Sequence, residues 1–309
     1  MLKYSELRSG ARADLNAGPL EKPFTVYIEP TNVCNFRCSM CPESLPDYHA
    51  RAGHHGSMSE TTFSRILEGL EQWKPIRSLK FYFVGEPLLN LALPFWIQRA
   101  RKFGLAERYE LTTNLSLLTQ GMASGLVHCG LDYIRISVYE THDERHQSVT
   151  ASRFTASTVR RNARMLRTLR DEVKRPGWPV PYLYAQYFGE NPDFRELWNP
   201  LVDETGIEPL HNWTGDLVQI GGEPAKQPCP APFYMLAIRA NGDVSPCCVD
   251  WAGALTLGNV NQTSLQDLWT GPRMLALRLA HIHGRRDDVP ACAGCTASFP
   301  DKMRTIATE

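Results

Sequence analysis

Apolar residues recur with two different spacings along the first two thirds of the chain. Runs of alternating or continuous apolar character predict strands, and the segments between them have helical spacing, for which Phe63, Ile66 and Leu70 are an example. The predicted strands cover residues 24–30, 78–84, 108–113, 132–138, 181–188 and 216–220. Strands that alternate with helices predict βα units and a parallel sheet. Six units predict an α/β fold, a partial (β/α)6 TIM-like barrel with its active site at the C-terminal ends of the strands.

The pattern changes near residue 223. The stretch "MLAIRANGDVSPCC" predicts a hairpin that turns at Asn241 and Gly242. Helical spacing returns from about Pro272 to His283. We therefore predict three parts: an N-terminal extension (1–23), the barrel (24–222) and a small C-terminal domain (223–309).

A helix predicted from about Ala156 to Val173 has arginines along one side, with apolar residues on the other. The arginines are Arg160, Arg161, Arg164, Arg167 and Arg170. Runs of charge usually mark a solvated face. We interpret this side as the outer surface of a barrel helix rather than as a site for an anionic partner.

Charge and composition exclude several classes of protein. The 309 residues include 33 basic and 33 acidic side chains, so the basic surface of a general nucleic-acid binder is not expected. The N-terminus lacks the apolar core of a secretory signal, and no apolar run approaches the ~20 residues that span a bilayer. We expect a cytoplasmic protein without a membrane partner. Nine cysteines in such a protein indicate metal or redox chemistry rather than disulfides.

Three of the cysteines follow the first predicted strand with the spacing C-x3-C-x2-C. They are Cys34, Cys38 and Cys41. Thiolates are the usual ligands of iron–sulfur clusters, and three ligands to a four-iron cluster leave one iron open to an amine and a carboxylate. Zinc sites normally pair a C-x2-C with a second pair elsewhere, so this spacing favours a cluster over zinc.

These three cysteines match the signature of the radical S-adenosylmethionine (radical SAM) enzymes, which the chain resembles. The resemblance continues in "VGEPLL" at 84–89, "TTN" at 112–114 and "ISV" at 136–138, each at the end of a predicted strand. It implies that SAM contacts Met40, Gly85, Glu86, Asn114 and Ser137. The chain departs from the family pattern at Met40, where many members have an aromatic residue, and at Val84, where they have a second glycine.

A second set of cysteines lies in the C-terminal part. Cys229, Cys247, Cys292 and Cys295 are separated by 18, 45 and 3 positions, a set that suits zinc or an iron–sulfur cluster equally well. The words "AIRANGDVSPCC", "LGNV" and "SLQDLW" resemble the auxiliary-cluster domain called SPASM, or twitch in its shorter form with one cluster. The cofactors that the resemblance implies are two 4Fe-4S clusters and SAM.

Cys248 and Cys129 remain outside both sets. Cys129 is interpreted as a core residue. Cys248 directly follows Cys247, and three interpretations stay open: a hydrogen-atom donor to a substrate radical, a small buried side chain, or the cluster ligand in place of Cys247.

The resemblance is to members that modify aminoglycoside antibiotics, namely an epimerase of neomycin assembly and an aminocyclitol dehydrogenase of butirosin assembly. It implies that a 5′-deoxyadenosyl radical abstracts hydrogen from a carbohydrate C–H bond and that Cys248 completes an epimerisation. A dehydrogenase and a ribosomal-peptide-modifying enzyme are the alternatives. Flavodoxin or ferredoxin is the expected electron donor.

A polycationic sugar would need carboxylates in the substrate cavity. The candidates near strand ends or the domain junction are Glu190, Asp216, Glu223 and Asp250. Tyr187, His211 and Trp213 could line the same cavity, although core packing explains them equally well.

Overall fold

A single mixed sheet forms the centre of the computed structural model, which describes residues 3, 20–174, 179–189, 191–208, 210, 224–225 and 227–297. The strands are β1 Thr25–Ile28, β2 Ile76–Phe81, β3 Ala106–Thr113, β4 Tyr133–Val138, β5 Tyr182–Phe188, β6 Glu204–Glu208, β7 Met235–Ile238, β8 Asp243–Ser245 and β9 Gly258–Asn259. Within these described residues the strand order is β6-β5-β4-β3-β2-β1-β7-β8-β9. All neighbours from β6 to β7 are parallel, which confirms the α/β barrel-type sheet.

Helices connect the parallel strands and cover one face of the sheet. They are α1 Tyr48–Ala52, α2 Glu60–Glu71, α3 Leu93–Lys102, α4 Gln120–His128, α5 Asp143–Thr150, α6 Ala156–Val173, α7 Asp193–Trp198, α8 Ala231–Tyr234, α9 Leu265–Thr270, α10 Pro272–Ile282 and α11 Pro290–Ala293. Several begin at a hydroxyl side chain that accepts a backbone N–H: Ser59 for α2, Thr119 for α4 and Thr155 for α6. No helix in the described ranges is long and apolar enough to cross a membrane.

The predicted strands agree with the observed ones for the first five units. The sixth prediction, 216–220, lies outside the described residues, and the sixth strand of the sheet is β6, which the sequence did not indicate. Its sequence "ETGIE" has a single large apolar side chain, Ile207, which is exposed. An edge strand of this kind lacks the apolar periodicity on which strand prediction depends.

The C-terminal part continues the barrel sheet instead of standing apart from it. β7 pairs with β1 over its whole length, from Thr25 opposite Met235 to Ile28 opposite Ile238. The hairpin predicted at Asn241 and Gly242 is present as β7 and β8, and Gly242 has a φ of 91° that suits glycine. The boundary near 223 therefore separates two sequence patterns but not two sheets.

The arginine side of α6 is only partly solvated. Arg161 and Arg164 are exposed as expected. Arg170, in contrast, is buried and pairs with Asp171 and Asp203. Arg160 donates to the carbonyl of Thr141 at 2.6 Å. These two arginines tie the helix to neighbouring loops, so the interpretation as a purely outer face is wrong for them.

Candidate active site

The loop that carries the first three cysteines leaves the C-terminal end of β1 and is held by its neighbours. Arg37 N–H donates to Thr150 O at 2.8 Å and Ser39 N–H donates to Val149 O at 3.1 Å, both at the end of α5. On the other side, Glu86 N–H donates to Val33 O at 2.9 Å. Backbone hydrogen bonds from two directions therefore fix the course of this loop.

Cys34, Cys38 and Cys41 interact with one another. None forms a disulfide. Burial raises the pKa of each thiol, that of Cys41 to about 12, and the Cys34 and Cys41 sulfurs raise the pKa of Cys38 further. Three thiols in mutual electrostatic contact ionise together only when a cation offsets their charge, as iron does in a thiolate-bound cluster. The donor set thus fits an iron–sulfur group.

In the described part of the chain, no three His, Cys, Asp or Glu side chains converge closely enough to hold a single metal ion.

Gly85 has to be a glycine because the cysteine loop crosses its backbone. A Cβ at this position would lie 2.3 Å from Thr31 O and 2.8 Å from Val33 O. Such a distance is far inside van der Waals contact. The close approach places the backbone of residues 85 and 86 directly beside the cysteine loop.

The Glu86 carboxylate organises the next loop. It accepts the Thr113 hydroxyl at 2.5 Å, the Asn114 N–H at 2.7 Å and the Leu88 N–H at 3.1 Å. Burial raises its pKa to about 7, although these three hydrogen bonds act to lower it. The carboxylate therefore joins the ends of β2 and β3, which leaves backbone groups for any contact with SAM.

The other predicted SAM contacts lie around the same end of the sheet. The Asn114 side chain donates to Asn35 Oδ1 at 3.0 Å and accepts from Ser116, so it links the "TTN" segment to the cysteine loop. Met40 is half-buried in that loop. Ser137 stands at the end of β4, opposite Gln186 of β5 in the strand register. The oxygen of the Gln186 side chain is buried, and none of the described residues forms a hydrogen bond with it.

The cysteines of the second set also lie close to one another. Burial raises the pKa of Cys229 to about 12 and that of Cys292 to about 11, and neighbouring thiols contribute to both. The pKa of Cys247 is raised in the same way, by burial and by its thiol neighbours. Cys295 packs against Cys247 in one small cluster of buried side chains. These four thiols therefore form a donor set that fits a second iron–sulfur group.

Cys248 contacts two groups of buried side chains, one of which contains its neighbour Cys247. Cys247 belongs to the buried cluster of Val249 and Cys295, whereas Cys248 also packs against the cluster that contains Tyr27 of β1. Burial raises the pKa of Cys248, and Lys80 together with a hydrogen bond to the Tyr27 side chain lowers it by less. Cys248 therefore remains a thiol at neutral pH and lies between the barrel and the second set of cysteines.

Sequence reasoning missed the polar inner face of the sheet, which we define as the strand side chains that point away from the helices. Lys80 and Arg108 both pair with Glu110, at 3.3 Å and 2.6 Å. Burial would raise the pKa of Glu110, but the two cations and the hydrogen bonds outweigh burial and lower the pKa to about 2. Arg135 lies over the Tyr82 ring at 5.0 Å.

A signal for the inner face was present in the sequence. Strands of a helix-covered parallel sheet usually read as continuous apolar runs. In contrast, polar residues alternate with apolar ones over much of three predicted strands of this chain, as in Ser78, Lys80 and Tyr82, in Arg108, Glu110 and Thr112, and in Arg135 and Ser137. This alternation indicates an inner face that binds something polar.

The predicted substrate carboxylates have mixed outcomes. Asp250 is fully buried and accepts the Ser245 hydroxyl and the N–H groups of Ala254 and Leu255, so it shapes its own loop instead of facing a cavity. Three other acids, Glu190, Asp216 and Glu223, lie outside the described residues, as do His211 and Trp213.

Tyr187 is part of the hydrophobic core and stacks on Phe194. Core packing is therefore the correct interpretation of this side chain. Cys129 is also a core residue.

Comparison with known proteins identifies the family. Residues 28–197, more than half of the chain, match the radical SAM superfamily. The chain belongs to the radical SAM superfamily. Residues 229–296 match SPASM, an iron-sulfur cluster-binding domain. The cofactors of this radical SAM enzyme are therefore SAM and iron–sulfur clusters.

Two curated relatives align with most of this radical SAM enzyme. One is the tungsten-containing aldehyde ferredoxin oxidoreductase cofactor-modifying protein of Pyrococcus furiosus, with 23% identity over 88% of this chain and 86% of the relative. The other is the S-adenosyl-L-methionine-dependent 2-deoxy-scyllo-inosamine dehydrogenase of Niallia circulans, with 19% identity over 89% of this chain and 94% of the relative.

Solved structures share the fold. BtrN in complex with AdoMet and 2-DOIA is 19% identical, with a TM-score of 0.64, and the match covers 91% of this chain and 96% of BtrN. Streptococcus suis SuiB bound to the precursor peptide SuiA is 13% identical, with a TM-score of 0.59, and covers 93% of this chain and 76% of SuiB. The barrel with its C-terminal cysteine domain is thus a known architecture.

Proposed function

We propose that this radical SAM enzyme inverts the configuration of a ring carbon in an aminoglycoside or related carbohydrate, with Cys248 as the hydrogen-atom donor. The observation that carries the proposal is the position of Cys248, which interacts with Tyr27 and Lys80 of the inner face and also packs against the cluster that contains Cys247 and Cys295.

The proposal includes a role for each set of cysteines. Cys34, Cys38 and Cys41 hold the 4Fe-4S cluster that binds SAM, and Met40, Gly85, Glu86, Asn114 and Ser137 surround the nucleotide. The auxiliary 4Fe-4S cluster has as ligands Cys229, Cys247, Cys292 and Cys295. The mutual effects of the thiols on their pKa values support both groupings.

When bound, the first cluster and SAM supply a 5′-deoxyadenosyl radical that removes a hydrogen atom from a substrate C–H bond. The Cys248 S–H bond then breaks, and its hydrogen atom forms a new C–H bond on the opposite face of the carbon. The sulfur is left as a thiyl radical. One electron from a ferredoxin- or flavodoxin-type reductant and one proton from solvent restore the thiol.

The inner face supports a hydroxylated substrate. Tyr27, Lys80, Tyr82 and Arg135 offer hydroxyl and cationic groups that form hydrogen bonds with sugar hydroxyls. Glu208 lies at the C-terminal end of β6, and the strand register places it on the same face of the sheet as the inner side chains of β5. A carboxylate at this position can bind an ammonium group of the substrate. The similarity to a 2-deoxy-scyllo-inosamine dehydrogenase also favours a cyclic amino polyol.

Replacement of the donor tests the proposal. Reconstituted wild-type enzyme, incubated with SAM, a reductant and a panel of aminoglycosides in D2O, should yield 5′-deoxyadenosine and an epimer with one deuterium at the inverted carbon. Cys248→Ala should still form 5′-deoxyadenosine and retain its clusters, but no epimer. Cys129→Ala is the matched control, since it removes a buried thiol from the core, and it should keep full activity. Inversion by Cys248→Ala would contradict the proposal.

Oxidation is a second candidate function, which the full-length match to the dehydrogenase favours. In that reaction the carbon radical next to a hydroxyl would lose one proton and one electron to give a ketone, and an auxiliary cluster held by the second set of cysteines would accept the electron. The product would be two mass units lighter than the substrate. Cys248→Ala would then form the same ketone as the wild-type enzyme, so the two functions are separated by product mass and by this variant.

A further inference from the structure

Arg286 connects two segments that carry auxiliary cysteines. Its Nε donates to Cys292 O at 3.2 Å, one terminal nitrogen donates to Gln227 O at 3.0 Å, and the other donates to Cys295 O at 3.1 Å. Gln227 lies two residues before Cys229. Arg286 as a whole is only 3% exposed. The N–H groups of one planar, buried guanidinium thus bind both cysteine segments.

The charge of Arg286 acts on the same thiols. It lowers the pKa of Cys229 and Cys292, against the larger effect of burial. The buried Asp250 has the opposite effect and raises the pKa of Cys247 and Cys292. A buried cation and a buried anion therefore act with opposite signs on the thiols of this set.

A four-iron cluster with four thiolate ligands has a net negative charge, and an added electron increases it. The reduction potential of such a cluster depends on net charge, on hydrogen bonds and on exposure to solvent. Because a buried cation is weakly screened, it stabilises the reduced state more than the oxidised state.

We propose that Arg286 is a positioning residue that raises the reduction potential of the auxiliary cluster while it holds the Cys292–Cys295 turn against the Cys229 segment. The inference rests on the auxiliary ligand set proposed above and not on whether the reaction is an epimerisation or an oxidation. Nothing in it requires the substrate to be known.

The test measures the auxiliary cluster alone. The whole chain, with Cys34, Cys38 and Cys41 replaced by Ala, is reconstituted anaerobically and should hold about four irons. Its midpoint potential is measured by redox titration with electron paramagnetic resonance detection, for this parent and for Arg286→Met, Arg286→Gln and Arg286→Lys. Arg285→Met is the matched control, because it removes the same charge from an exposed neighbour.

The neutral variants Arg286→Met and Arg286→Gln should have a midpoint potential that is lower by about 59 mV. This shift corresponds to a tenfold lower ratio of reduced to oxidised cluster at a fixed ambient potential. Arg286→Lys and Arg285→Met should stay close to the parent. Asp250→Asn removes the opposing charge and should shift the potential upward.

Other outcomes are equally decisive. Unchanged potentials in both neutral variants would overturn the inference. If the neutral variants lose iron, retention of iron and of the parent potential by Arg286→Lys supports the role of the charge, and loss of iron from Arg286→Lys as well overturns it. A parent chain without iron would refute the ligand set itself, together with the inference that depends on it.

Discussion

Gly85 determines, as a single residue, whether the first cysteine loop can take its course. Gly85→Ala would place a methyl group 2.3 Å from Thr31 O, so we expect the loop to shift and the SAM-binding cluster to be lost. Iron analysis after anaerobic reconstitution should fall from about eight to about four irons per chain, since the auxiliary site is untouched.

The control for this substitution is Gly121→Ala. Gly121 lies in the first turn of α4, and a Cβ there meets nothing within 4 Å. Alanine in a helix is more favourable than glycine by up to about 1 kcal/mol, so this variant should keep all its iron and gain slightly in thermal stability. Full iron content in Gly85→Ala would contradict the role given to the close backbone contact.

At the scale of the elements, β2 and β3 are joined on the inner face by a buried ionic network. Glu110→Gln would leave Lys80 and Arg108 without their carboxylate, and removal of one partner from a buried pair costs about 3 kcal/mol or more. Urea unfolding of the purified protein measures this loss. Glu68→Gln breaks an exposed pair with Arg65 and should cost under about 1 kcal/mol. Equal losses would contradict the network.

The same network predicts an acid-dependent stability. The pKa of Glu110 falls from 4.5 to about 2 on folding, so its stabilising effect is complete above pH 4.5 and disappears as the pH falls toward 2. The difference corresponds to about 3 kcal/mol. The free energy of unfolding should therefore decline less steeply between pH 4.5 and pH 2 in Glu110→Gln than in the wild-type protein. Parallel pH profiles would refute the assignment.

Elements with a strong apolar period could be predicted from the sequence, and the others could not. α6 runs from Ala156 to Val173 as expected, because its buried side chains recur at helical spacing. β6 was missed because an exposed edge strand carries no such signal. The sequence contained a signal for the inner face, since polar and apolar residues alternate along much of β2, β3 and β4. The register between neighbouring strands decides which polar side chains pair across the inner face. This register cannot be derived from the spacing of residues along the chain.

At the scale of the whole molecule, the barrel and the cysteine domain share one sheet. β7 covers the edge of β1, and the buried Glu29 carboxylate accepts N–H groups from both Val84 and Ala240. We therefore predict that a fragment of residues 1–228, which lacks β7, aggregates or is cleaved rapidly by protease, because β1 then has an open, apolar edge. Scanning calorimetry of the intact protein should give one transition for both parts. A soluble, protease-resistant fragment would contradict this prediction.

The candidate site was predictable to the extent that it lies in contiguous motifs. The first three cysteines, Gly85 and Glu86 could be proposed from the sequence because each motif follows a predicted strand. The surroundings of Cys248 could not be predicted, because they depend on the packing of β1 and β2 against a loop that lies far along the chain. Of the predicted substrate carboxylates, Asp250 hydrogen-bonds within its own loop, and Glu190, Asp216 and Glu223 lie outside the described residues.

The shared sheet has a consequence for electron exchange. The first cysteine loop leaves the C-terminal end of β1, and β7, its hydrogen-bonded neighbour, leads into the hairpin that ends just before Cys247. These two strands are joined to each other directly by backbone hydrogen bonds. We therefore expect the electron-transfer distance between the two metal centres to stay constant while substrate enters and leaves. The hydrogen bonds between β1 and β7 would set this distance, and motion between the two parts of the chain would not change it.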